Sequence, residues 1–278
     1  MARWAGPLKG RAARKGAMCA QAPVLVRGPV LRRAEHWVVM KAAWVAARLR
    51  APDAVLMISR RGVRLFSAND LAAPAWWLNV TVREPTAAPG HALIAPPAEV
   101  WEALRATWGR AGTHVAAGPG AVRFEGRSAA TEVHGRAVPF GAGTRGIPAG
   151  GNGVLDVNTG YPAAVASVSS TLAADVAAVA ARSDTVELRL VRDGRGWWIE
   201  AAGDGRVRRL PAEMVLLPSD DVIVGHYPAG VLAELLSFSE LADLTVEFVE
   251  PVERPAIRVG WEEHARRIRV EAFVAPLV

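Results

Sequence analysis

The chain has 278 residues and 51% apolar content, enough for one large domain or two of ordinary size with a filled core. A single cysteine, Cys19, excludes an internal disulfide and a thiolate metal site. No apolar run reaches the ~18 to 20 residues of a membrane-crossing helix, and the start lacks a signal peptide's compact apolar region, so a cytoplasmic protein with no membrane partner is expected. Asn and Gln total five and Arg outnumbers Lys 30 to 3, a bias expected of a thermophile or of a GC-rich genome.

The formal charge of +6 is not spread evenly. Residues 1 to 33 hold eight Lys or Arg and no acid, so removing that +8 leaves residues 34 to 278 at −2. The body is therefore nearly neutral, and residues 1–29 read as a basic disordered tail: a nucleic-acid-touching arm or no part of the folded unit.

One pattern then recurs four times. A strand-like stretch leads into a short helix, and two strands joined by a turn follow. The first helix is VVMKAAWVAARLR, 38 to 50, followed by AVLMIS, the turn RRG and VRLFSA. The second opens on Pro97, a favoured first helical position, in PAEVWEALRATWGR, with Trp101, Leu104 and Trp108 on one face. THVAA, GPG and AVRFEG follow. The third is STLAADVAAVAAR, with Ser169 and Ser170 as capping candidates and Leu172, Val176 and Val179 as its apolar stripe. TVELRLV alternates with period two up to Asp193-Gly194, and WWIEAA returns. The fourth is PAGVLAELLSF, followed by LTVEFV, a turn containing Pro255, and AIRVGW.

The interval between the second and third helices is the longest, and the excess lies in residues 134 to 161, which carry eight glycines. The expected fold class is α+β. Two similar domains, 30–138 and 161–278, each a duplicated helix-plus-antiparallel-sheet unit, flank a connector at 139–160.

The order and spacing of these segments resemble the sliding clamps of the proliferating cell nuclear antigen (PCNA) family over about residues 30 to 278. YPAAVASVSSTLAADVAAVAARSDTVELRLVRDG resembles the opening of that family's second domain. HYPAGVLAELLSFSELADLTVEFVEPVERPAIRVGW, followed by RIRVEAFVAPLV, resembles its last subdomain; the first half is similar more loosely, through ISRRGVRLFSAND and VWEALRATWGRAGTHV. An APLV ending without an acidic tail is closer to archaeal, particularly crenarchaeal, members.

The resemblance implies a ring of three chains around double-stranded DNA, helices inside and sheets outside, with no reaction of its own and no cofactor or metal. It implies edges near 131–138 and 205–212, and hence Glu132, Arg206, Arg208 and Arg209 at a subunit interface. Three arginines facing one glutamate suit a trimer with sister chains, while simple solubility of an edge would explain them equally. Lys41, Arg48, Arg105, Arg110 and Arg182 are the DNA-facing expectation. The later helices, with Asp175, Glu234 and Glu240, depart from the family's positive lining. The resemblance also implies an outer pocket for short apolar client peptides, floored by Phe273, Val274, Ala275 and Pro276 beside Pro255, with Ile147 and Pro148 as one wall and Leu71 and Pro74 as another. Clients would be DNA polymerase, flap endonuclease and DNA ligase, with a clamp loader to open the ring. Alternatively, FVAPLV is a final strand filling the core.

Catalytic residues find no home in this pattern. The six histidines form no HExxH pair, and neither GxSxG nor GxxxxGK[ST] occurs. WEEHARR, 261 to 267, reads as a charged hairpin. Of each tryptophan pair, Trp76-Trp77 and Trp197-Trp198, one ring should be core and the other exposed or at an interface, because adjacent strand residues face opposite sides. A stand-alone nucleic-acid- or peptide-binding α+β module is the competing reading.

Overall fold

The computed structural model describes residues 26–69, 75–83, 90–138, 146–148, 154–156, 161–238 and 244–277. The first half runs β1 (Val26–Leu31), α1 (Arg33–Arg48), β2 (Asp53–Ser59), β3 (Val63–Ala68), β4 (Trp76–Val82), β5 (Gly90–Ala95), α2 (Pro97–Ala106), β6 (Thr113–Gly118), β7 (Ala121–Glu125), β8 (Ala130–His134) and β9 (Arg136–Val138). Two short paired strands follow, β10 (Gly146–Pro148) and β11 (Val154–Asp156). The second half runs β12 (Pro162–Val168), α3 (Leu172–Ala180), β13 (Thr185–Asp193), β14 (Gly196–Gly203), β15 (Arg206–Leu216), β16 (Val222–Pro228), α4 (Ala229–Leu236), β17 (Leu244–Val249), β18 (Ala256–Glu263) and β19 (Ile268–Val274).

α1, α3 and α4 are therefore each preceded by one strand and followed by three, and α2 by three and then the short β9 to β11, where the sequence reading expected two. β4 is the addition that pattern reading missed. It is buried along both faces, so WWLNVTV lacks the alternation that marks a half-exposed strand. Trp76 and Trp77 face opposite sides, as adjacent strand residues must, and both are buried, one in each of two apolar clusters, so neither ring of this pair is exposed. A central strand has two covered faces.

The start of the fold also lies earlier than expected. β1 takes Val26 to Gly28 out of the tail by pairing Val26 with Ala117 and Arg27 with Ala116, and a register shift before Val30 accommodates the Gly28-Pro29 pair that reads as a breaker. α1 begins at Arg33, five residues before the expected start. Glu35 and His36 look like surface residues in sequence but are buried by partners from distant segments. α3 is capped at Thr171, without a side-chain cap bond, while Ser169 and Ser170 lie ahead of it.

Thirteen strands form one antiparallel sheet in the order β16-β13-β14-β15-β12-β17-β18-β19-β4-β3-β2-β5-β9, and β1-β6-β7-β8 form a second. The chain steps between them at Gly135. A Cβ there would meet the Ile94 carbonyl oxygen at 2.2 Å, so only glycine allows the approach of β8 to β5.

The apolar faces of all four helices belong to a single core cluster. α1 packs on α2, and α3 on α4. The two pairs are bridged by polar contacts: the Lys41 ammonium donates to the Ser237 carbonyl, and Arg48 pairs with Glu234 at 2.8 Å. The helix layer thus runs α2-α1-α4-α3. On the opposite face of the large sheet a second cluster joins Val55, Met57, Phe66, Trp77, Ile94 and Phe273.

Candidate functional site

Three surfaces carry the residues singled out by sequence. The first is the outer sheet face at the junction of the halves. β19 pairs with β4 in an unbroken antiparallel register from Ile268–Val82 to Val274–Trp76, so the last strand of the second half extends the sheet of the first. Phe273 stacks on Trp77 with centroids 5.8 Å apart and planes within 8°, and Trp77 packs in turn on Phe66. Phe273 and Val274 face opposite sides and are both buried, the core-filling strand that the sequence left as an alternative.

Beyond them the chain continues outward. The Ala275 amide donates to the Ala75 carbonyl at 2.7 Å, and the Leu277 amide to the His226 carbonyl at 2.8 Å on the outer edge of β16. A cavity of about 330 Å³ opens there, lined by Val224, His226, Glu253, Arg254, Pro276 and Leu277. Pro255 is buried beside it, its carbonyl accepting from the Tyr227 hydroxyl at 2.7 Å, and burial raises the Tyr227 pKa. Of the nine pocket residues expected, the structure brings Pro255 and Phe273 to Pro276 into one region. Ile147 and Pro148 lie on β10, opposite Leu155 and Val154. Leu71 and Pro74 fall outside the described residues.

A polar chain ties the same junction together. The Arg64 guanidinium donates to Asn79 Oδ1 at 2.7 Å, Asn79 donates to Glu271 at 3.0 Å, and Arg269 donates to the other Glu271 oxygen at 2.7 Å. Arg64 and Asn79 are buried, so the network crosses from β3 through β4 to β19 in a setting where each bond is costly to lose. Its members stand far apart in the chain, and no local pattern announces them.

The second surface is the strand edges. Arg206 to Ala212 of β15 pair with β14, and Ala212 to Leu216 pair with β12, so the far side of Arg206 to Pro211 carries no strand among the described residues. β8 pairs only with β7 there. The arginines of β15 are not uniformly free. Arg209 pairs with Asp193 at 2.7 Å and Glu200 at 3.2 Å and lies over Trp198 at 4.4 Å, and Arg208 stands 3.8 Å from Asp175. The Arg195 amide, with Trp198 and Arg209, holds the Asp193 carboxyl below its ordinary pKa. On β8, Glu132 stands 3.6 Å from His134. Val207, Val215, Leu216, Leu217 and Val222 are exposed along β15 and the turn into β16. Trp197 and Trp198 are both half-buried, with Arg192 over Trp197 at 5.9 Å.

The third surface is the helix layer. Lys41 and Arg48 are engaged by α4, and Lys41 also lies 4.8 Å from the Trp37 ring. Arg105 pairs with Glu102 at 2.6 Å and covers Trp101. Arg110 and Arg182 are exposed and form no ion pair among the described residues. The other exposed positions of α3 are alanines 174, 177 and 178. His36, on the buried side of α1, donates from Nε2 to the Leu104 carbonyl at 2.8 Å, and its Nδ1 lies 2.7 Å from the Thr113 hydroxyl. Burial lowers its pKa, and the Thr113 hydroxyl beside it donates to the Thr107 carbonyl at 3.0 Å. Among the described residues no group of three acidic, His or Cys side chains could hold a metal ion, and no helix is long and apolar enough to cross a membrane.

No protein-family model matches the chain, and no curated protein matches it in sequence. Among solved structures, that of PCNA from Thermococcus kodakaraensis is similar, with a TM-score of 0.56 over 85% of this chain and 95% of that one, at 13% sequence identity. The likeness is one of fold: a sliding-clamp-like arrangement of antiparallel sheets backed by few helices.

Proposed function

We propose that the chain is a sliding-clamp subunit: two domains, each a duplicated unit, of which three close into a ring around double-stranded DNA. The observation that carries this reading is the pair of open strand edges, β8 in the first half and Arg206 to Pro211 of β15 in the second, in a clamp-like fold. Within the chain, β19 closes onto β4. The equivalent closure between chains joins β8 of one copy to β15 of the next, removing both edges. Arg208 and Arg209 are satisfied internally, so Arg206 alone needs a partner and Glu132 can provide it. A ring of one kind of chain follows, and the case for sister chains weakens.

The helix layer α2-α1-α4-α3 then lines the hole. Arg48 and Arg105 are partly neutralised by Glu234 and Glu102, and Lys41 is tied to the Ser237 carbonyl, so the DNA is held by topology and by diffuse attraction from Arg110 and Arg182. Weak, register-free contact is what sliding requires. The outer face around Ala275, Pro276 and Pro255 receives client peptides, which extend the sheet or fill its cavity. DNA polymerase, flap endonuclease and DNA ligase are tethered there at raised effective concentration, and a loader that uses ATP opens the ring.

The test is retention on DNA. The assembled protein is expected to stay on a nicked circular plasmid at a salt concentration that strips contact binders, and to leave within minutes once the plasmid is linearised. Equal retention on linear and circular DNA would mean binding by contact, and the clamp reading would fall.

A further inference from the structure

A further cavity shares no lining residue with the outer peptide face. It measures about 500 Å³, between the start of α1, the residue pair following α2, and the β18–β19 hairpin. Three indoles line it, Trp37, Trp108 and Trp261, together with three guanidinium groups, Arg32, Arg33 and Arg266. The one carboxylate present, Glu263, pairs with Arg266 at 3.1 Å. Three cations against one anion leave the lining at +2.

Arg32 and Arg33 are exposed and make no ion pair among the described residues. Trp108 is 37% exposed, steadied edge-on against His36 at 5.0 Å. Trp261 is 5% exposed, and its indole N–H is buried with no hydrogen-bond acceptor. A buried donor without a partner is rare in a finished interior.

Flat π surfaces and uncompensated guanidinium groups define the occupant. It is planar and aromatic and bears negative charge. We infer that this cavity binds an unpaired nucleotide of single-stranded nucleic acid, the base stacking on Trp108 within the indole-lined space and the phosphates meeting Arg32 and Arg33. An acidic peptide shares the charge but not the flat stacking surface that three indoles serve. This site goes beyond the clamp reading and does not depend on it, because strand binding can be measured whatever the assembly state. A duplex cannot enter, since its bases are already stacked.

The experiment is fluorescence anisotropy with a labelled oligothymidylate, alone and annealed to its complement. Trp108→Ala is expected to weaken single-strand binding about ten- to a hundredfold while leaving duplex binding as it was. Arg33→Gln, at an exposed position that the fold does not need, is expected to lower the salt dependence by about 0.7 in log–log slope, the loss of one phosphate contact on a single strand. Three results would overturn the inference: both variants binding like the parent; single strand and duplex binding equally and weakening together; or an acidic tryptophan-containing peptide binding more tightly than the strand, which would reassign the cavity to a protein partner.

Discussion

Two strand edges of this molecule invite comparison, because one has found its partner within the chain and the other has not. At the β4–β19 seam the register runs without a bulge, both faces are covered by apolar clusters, and a buried polar network crosses it. Along Arg206 to Pro211 of β15, one side is paired, the side chains are mostly exposed, and Arg208 and Arg209 have carboxylate partners on the surface. The difference separates a buried joint from an exposed edge. Buried donors and acceptors make the seam costly to part, whereas the β15 edge carries solvated arginines and the exposed Val207.

Breaking the seam should have the largest effect. Trp77→Ala removes the ring between Phe66 and Phe273 and is expected to cost about 3–5 kcal/mol of stability, read by urea unfolding. A loss below about 1 kcal/mol would mean that the outer cluster does not hold the halves together. Asn79→Ala, which strips Arg64 and Glu271 of their shared partner, is expected to cost about 1–3 kcal/mol by the same measurement.

A smaller, pH-dependent effect belongs to His36. Its folded pKa lies below the ordinary value of 6.5, so the unfolded chain takes up the proton first. That part of the stability is fully present above about pH 6.5 and declines as the pH falls through the folded pKa. The unfolding midpoint should drop with acidification over that range, and His36→Gln should flatten the profile; an unchanged slope would show that other groups carry it. Arg48→Ala should cost no more than about 1 kcal/mol, since its pair with Glu234 is partly solvated.

The sharpest contrast comes from the open edge. Arg206→Glu combined with Val207→Asp should leave the unfolding midpoint within about 0.5 kcal/mol of the parent while reducing the mass in solution to one chain. Destabilisation without a change in mass would place those residues in the fold and not in an interface.

What the sequence made legible follows the same division. The Leu172, Val176 and Val179 stripe of α3 and the alternation that builds the β13–β14 hairpin appear where predicted, because one exposed face writes a period into the chain. β4 has both faces buried and so writes no alternation into WWLNVTV, as is also true of β2 and β3, which the RRG turn between them made legible. The early start of α1 was hidden because Glu35 depends on Arg83 and His36 on Thr113, partners that only the folded chain brings near. Of the expected site, the terminal Phe273 to Pro276 segment was legible as apolar, but its division between core and surface was not. The arginines of β15 were visible as a charged run, while their pairing with Asp175, Asp193 and Glu200 required the sheet. The Trp37, Trp108 and Trp261 cavity draws on three separate segments and left no motif at all.

The central claim is that the open edge closes on another copy of the chain. Light scattering on the purified protein as it leaves a size-exclusion column tests it most directly. The account predicts a mass near three times 29.5 kDa that persists on moderate dilution. A mass of one chain, constant with concentration at moderate salt, would contradict it.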